Sequence, residues 1–135
     1  MRKLLSTKYS AGAFNTAVLM LRLISGFLMM NHGYGKLVHF TETAQHMPNL
    51  FHIGQNVTTA LVIFAEFFCS LFIILGLFTR FACVPLIITM AYALFITHNA
   101  DFFGKGEVPT LYLVVFAVLL LVGPGRASVD SLIGK

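Results

Sequence analysis

AFNTAVLMLRLISGFLMMN, residues 13–31, and TTALVIFAEFFCSLFIILGLF, residues 58–78, are two apolar stretches that each carry a single charge near the middle, Arg22 and Glu66. Each is long enough to cross a bilayer core as a helix, which asks for roughly 20 residues. Joined by one connection, they run antiparallel. Arg22 is then nine residues from the end of its segment and Glu66 eight from the start of its own. At about 1.5 Å of rise per residue the two charges fall at nearly the same depth. Charges at such depth are costly and face a bundle interior, where they pair. The sequence therefore predicts a buried Arg22–Glu66 ion pair that sets the register of the first two spans.

Two further apolar stretches follow, FACVPLIITMAYALFIT at 81–97 and VPTLYLVVFAVLLLVG at 108–123, neither of them charged. Of the 135 residues 58% are hydrophobic and 10% charged, with a mean hydropathy of +0.86. Soluble domains carry about a quarter charged residues, and these segments lack the polar faces that four helices of a soluble core need. The predicted fold is all-α: a single integral membrane four-helix bundle spanning residues 1–135, antiparallel and up-down. The first segment runs into the polar NHGYGK without a small-x-small cleavage site, so it reads as a span and not as a removable signal.

Basic residues set the orientation. Arg2, Lys3, Lys8, Arg80, Arg126 and Lys135 fall on one side, while the other holds Lys36 and Lys105 beside Glu42, Asp101 and Glu107. The positive-inside rule puts both termini in the cytoplasm, N-in and C-in. The formal net charge of +4 is then an orientation signal and not a nucleic-acid footprint; the expected partners are the bilayer and a protein, either a second subunit or further copies of the chain. Cys69 and Cys83 sit at different depths and read as small apolar fillers. Residues 40–57 form the long exterior connection. Met47, Leu50, Phe51 and Ile53 are apolar there, and the stretch is expected to lie at the interface, broken by Pro48 and Gly54.

All five histidines map to the exterior half, near or beyond the edge of the bundle. That position argues against haem ligation, and their spacing lacks the compact clusters that metals prefer; neither haem nor metal is expected. His32 and Lys36 from the end of the first span, His98 from the end of the third and Glu107 from the start of the fourth share one end of the bundle. They define a candidate ligand-binding mouth for the polar head of a lipid-soluble molecule, with Tyr34 and Tyr112 nearby at interfacial positions.

HGYGKL at 32–37, EFFCSLFIILGLFTR at 66–80 and GPGRASVD at 123–130, together with the arginine of the first span, resemble the DoxX family of small four-helix membrane proteins. The resemblance covers nearly the whole chain and carries over Arg22, His32, Lys36, Glu66 and Arg80 as family-type positions. Members of the family include subunits of thiosulfate:quinone oxidoreductase and proteins of redox and thiol-stress complexes, so the resemblance implies a quinone-linked membrane subunit. The chain itself carries no flavin or nucleotide fingerprint and no C-x-x-C pair, so any electrons come through a partner, and catalysis by this chain alone stays open. The alternative is a non-catalytic membrane scaffold that anchors a redox or envelope protein.

Overall fold

The computed structural model describes residues 2–48 and 52–134, which are helical with no strand among them. Leu50 and Phe51, expected at the interface, lie outside the described residues. The elements are α1 (Ala11–Val38), α2 (Phe40–His46), α3 (Gln55–Leu75), α4 (Thr79–Thr97), α5 (Glu107–Val122) and α6 (Val129–Ile133). α1, α3 and α4 are long and apolar enough to cross a bilayer, and α5 is apolar but only 16 residues long.

The helix ends follow from local chemistry. Ser10 caps α1 by accepting a hydrogen bond from the Ala13 N–H, as short hydroxyl side chains do at N-termini. At the other end α1 continues seven residues past the predicted limit at 31, because Gly33 and Gly35 weaken a helix without breaking it and Gly33 has a packing use. The FTETAQH stretch, expected as part of an irregular connection, is the short helix α2. α3 stops at Gly76, whose φ of +70° is a left-handed conformation suited to glycine. The Gly76 N–H bonds back to the Ile73 carbonyl at 3.1 Å and the Leu77 N–H to the Phe72 carbonyl at 2.9 Å, the Schellman pattern of helix termination. Two stretches, Phe64–Cys69 in α3 and Ala93–Thr97 in α4, are wound more widely, with i→i+5 bonding. Such turns are uncommon and recur at functional sites; the first contains Glu66.

Packing shows the directions. Gly33 of α1 lies against the backbone of Glu66 and Phe67, Gly26 against Ser70 and Ile74, and Arg22 against Ile73 and Ile74. Advance along α1 is therefore retreat along α3. In the same way α4 and α5 oppose each other, with Arg80 beside Gly123 and Leu94 beside Gly106. α5 opposes α1, with Tyr112 beside His32 and Arg126 beside Asn15. The four long helices alternate in direction around a core that includes Val18, Met29, Ile73, Leu86, Phe116 and Leu119. Both cysteines are free and buried there.

The outside of the bundle is apolar. Ile24 is 62% exposed, Phe81 80%, Leu111 62% and Leu121 78%. In water such a surface drives association; in a bilayer it is the lipid-facing coat, and the helices contact lipid.

On α1 the buried positions 22, 26, 29 and 33 repeat in steps of four and three, the narrow seam of closely paired helices. A Cβ on Gly33 would sit 2.7 Å from the Phe67 nitrogen and 2.8 Å from the Glu66 carbonyl carbon, while one on Gly35 meets nothing within 4 Å. Backbone cannot step aside as a side chain can. Gly33→Ala is expected to lower stability by about 1–3 kcal/mol through overpacking, whereas Gly35→Ala is expected to be neutral or to stabilise by up to about 1 kcal/mol. Denaturant unfolding of the two variants in detergent checks the contrast; equal effects would mean that α1 and α3 do not meet at Gly33.

Candidate functional site

Arg22 is 1% exposed, so its guanidinium must find acceptors inside the protein. It finds four backbone carbonyls. Nε donates to Ile73 at 3.0 Å and Nη2 to Ile74 at 2.9 Å. Nη1 donates to Pro124 at 2.9 Å and Ala127 at 2.6 Å. Ile73 and Ile74 belong to the last turn of α3, where carbonyls have no i+4 partner and the helix dipole is negative; the Ile73 carbonyl accepts from Gly76 and Arg22 together. The arginine thus caps α3 from α1 and ties it to the GPGRASVD segment. Asp130 completes the clasp: its carboxylate accepts the Phe78 N–H at 2.7 Å and the Thr79 N–H at 3.0 Å, capping the start of α4, and its own N–H donates to the Gly76 carbonyl at 2.9 Å. Gly76 has to be glycine here for a second reason, since a Cβ would lie 2.5 Å from Arg22 Nη2.

Glu66, 3% exposed, pairs with Lys36 instead of Arg22: Lys36 Nζ is 2.6 Å from Oε1 and 2.7 Å from Oε2. The predicted Arg22–Glu66 pair is therefore replaced by two separate arrangements. The reason lies in where α1 ends. Ending the apolar span at residue 31 matched Arg22 to the depth of Glu66 and left Lys36, at the end of the first span, to the ligand-binding mouth. The helix continues to Val38, which puts Lys36 one turn beyond the Gly33 contact and in reach of Glu66, while Arg22 lies about 16 Å along the axis from that contact at 1.5 Å per residue. The side chain of Lys36 remains 33% exposed, while that of Glu66 is 4% exposed.

The outer end holds a second contact. The His32 ring meets the Tyr112 ring edge-on, with centroids 6.1 Å apart and planes at 89°. Tyr112 stacks on the buried Phe116 at 5.9 Å and lies within electrostatic range of Glu66. Its hydroxyl has no hydrogen-bond partner among the described residues. Of the four residues predicted to share a mouth, His32 and Lys36 thus face partners on α5 and α3. His98 and Glu107 do not join them: through their side chains they make no hydrogen bond, ion pair or ring contact with another described residue. His98 follows the widened end of α4, and Glu107 is exposed in the first turn of α5.

Tyr112 also forms part of a groove of about 690 Å³ between α1 and α5. Leu21, Ile24 and Leu28 make one wall, and Leu111, Tyr112 and Val115 the other. The groove is almost wholly apolar, opens on the lipid-facing surface and reaches the ring that touches His32. Tyr112 entered the sequence reading only as an interfacial tyrosine, and Asp130 only as part of a motif. An aromatic one helical repeat from the polar end of an apolar helix was the available signal for the first. For the second it was a lone carboxylate on an otherwise basic side.

The chain matches the DoxX family over residues 17–99, a region that includes Arg22, His32, Lys36 and Glu66 and stops before Tyr112 and Asp130. It is similar to an uncharacterized protein of Haemophilus influenzae, 31% identical over 118 residues, with 82% of this chain and 86% of the relative covered. No solved structure matches it.

The clasp yields an unequal set of substitutions. Arg22→Lys keeps the charge but cannot reach four carbonyls in two directions, and is expected to cost at least about 2–3 kcal/mol, the scale of hydrogen bonds to a charged group. Asp130→Ala removes a trans N-cap and is expected to cost about 0.5–2 kcal/mol. Thermal unfolding in detergent checks the order; an Arg22→Lys variant as stable as wild type would show that the carbonyl contacts are dispensable.

Proposed function

Because the chain belongs to the DoxX family, we propose that it is a quinone-binding subunit of a membrane redox system, with all four long helices crossing a bacterial inner membrane and both termini in the cytoplasm. One observation carries the proposal: an apolar groove on the lipid-facing side of the bundle is lined in part by Tyr112, whose hydroxyl has no hydrogen-bond partner among the described residues and whose ring meets His32. A ligand with a long apolar tail and a compact polar head fits that sequence of surfaces. Small-molecule sites have this character, mostly apolar with a few placed polar groups.

Each residue has a part in the reading. The Tyr112 hydroxyl donates to a carbonyl oxygen of the head group. His32, exposed at the outer end of α1, can donate or accept a hydrogen bond at the boundary through its imidazole. Lys36 supplies positive charge to that end, held in place by Glu66. A bound quinone would supply two-electron, two-proton redox chemistry, for which a partner protein would deliver the electrons and these side chains would pass on the protons. His98 and Glu107, apart from this cluster, are no longer assigned to it.

A scaffold role is the second reading, favoured by Lys36 being already neutralised by Glu66 and by the absence of His98 and Glu107 from the cluster. The two readings part on ligand binding. Mass spectrometry of lipids retained by the purified protein, followed by quinone titration, is expected to find bound quinone. His32→Ala is expected to weaken binding about tenfold, the loss of one well-placed hydrogen bond, and Lys36→Ala less, since water screens the missing charge. If wild type retains no quinone, or both variants bind as wild type does, the scaffold reading replaces the first.

A further inference from the structure

The opposite end of the bundle carries a surface that the quinone reading does not use. The N-terminal arm and the GPGR turn meet beside the start of α1 and form a cleft of about 300 Å³ lined by Tyr9, Ala11, Phe14, Asn15 and Arg126. The Tyr9 and Phe14 rings are 6.2 Å apart and make an aromatic wall. The Asn15 side-chain Oδ1 accepts the Arg126 backbone N–H at 2.9 Å, and its Nδ2 donates to the Ala11 carbonyl at 2.7 Å, so the cleft has a tied floor. The Arg126 guanidinium is exposed and forms no hydrogen bond or ion pair with another described residue.

Charge at this end is one-sided. Arg2, Lys3, Lys8, Arg80 and Arg126 are all exposed. The single carboxylate side chain on this end is Asp130, and its oxygens are already engaged by the Phe78 and Thr79 N–H groups. Leu4 and Leu5 are 89% and 83% exposed, on the same short arm as Arg2, Lys3 and Lys8. A surface of exposed cations, aromatic rings and exposed leucines is complementary to an anionic headgroup with acyl chains attached.

We propose that the cleft between the N-terminal arm and the GPGR turn is a binding site for an anionic phospholipid, with the lipid phosphate on Arg126 and Lys8, the glycerol region against Tyr9 and Phe14, and Leu4 and Leu5 in the acyl boundary. The same lipid joins the two ends of the chain that lie on either side of the clasp.

Native mass spectrometry of the full-length protein in mixed micelles of phosphatidylglycerol and phosphatidylcholine tests the site. Wild type is expected to retain phosphatidylglycerol in preference to phosphatidylcholine. Each basic residue near an anionic surface is worth about fivefold in affinity, so Arg126→Gln is expected to lose about fivefold and Lys8→Gln with Arg126→Gln about 25-fold. Arg126→Gln keeps the backbone N–H that Asn15 holds and an exposed side chain, so the fold is expected to survive. Lys105→Gln, at the other end, is expected to change nothing. Equal retention of the two lipids, an equal loss from Lys105→Gln, or displacement of the lipid by millimolar inorganic phosphate alone would each overturn the proposal, the last by showing a simple anion site.

Discussion

A guanidinium that cannot reach water dictates the end of the bundle where α3 turns into α4. Arg22 is buried on α1, and no carboxylate answers it directly. Its donors instead take the carbonyls that a terminating helix leaves open and the carbonyls of a turn more than a hundred residues later. That choice requires α3 to end where it does, Gly76 to lack a side chain, and GPGRASVD to fold back across the α3–α4 hairpin so that Asp130 can cap α4. In lipid, unsatisfied backbone groups cost several kcal/mol each, and the ends of two helices are satisfied by one arginine and one aspartate from distant parts of the chain. Residues that look like a loose tail in sequence are part of the bundle.

The same antiparallel helices carry a different kind of polarity at the opposite end. Lys36 and Glu66 neutralise each other within reach of solvent, and the widely wound turn around Glu66 helps to present the carboxylate to α1. Close contact at Gly33 brings the two helices near enough for this pair to form. α1 touches α5 through His32 and Tyr112, while further along their length the two helices stand apart and leave the groove. Tight packing on one flank of α1 and an opening on the other follow from one division of residues: glycines and small side chains toward α3, leucines and isoleucines toward α5.

Much of this was legible in the sequence. Uninterrupted apolar stretches and the distribution of Arg and Lys announced a membrane-type helical protein, and three short motifs pointed to its family. The need for partners at Arg22 and Glu66 was also plain, because two charges within apolar helices cannot stand alone. What the residues did not disclose was which partners. Depth matching assumes that a helix ends where its hydropathy falls, and α1 ignores that fall by seven residues. An arginine can also be satisfied by carbonyls, which no charge pattern records. His98 and Glu107 were grouped with His32 because they share an end of the bundle, but sharing an end does not bring side chains together around a ring of four helices. Tyr112 was the converse case, a residue whose importance depends on the gap between two helices far apart in sequence.

The central claim is that Lys36, and not Arg22, is the ionic partner of Glu66. A charge exchange tests it most directly, by measuring thermal stability in detergent for Lys36→Glu, Glu66→Lys and the two combined, beside Arg22→Glu combined with Glu66→Arg. The account predicts that the Lys36–Glu66 exchange recovers most of what either single change loses, and that the Arg22–Glu66 exchange recovers nothing, since the carbonyls around residue 22 repel a carboxylate. Recovery in the second exchange and none in the first would contradict it.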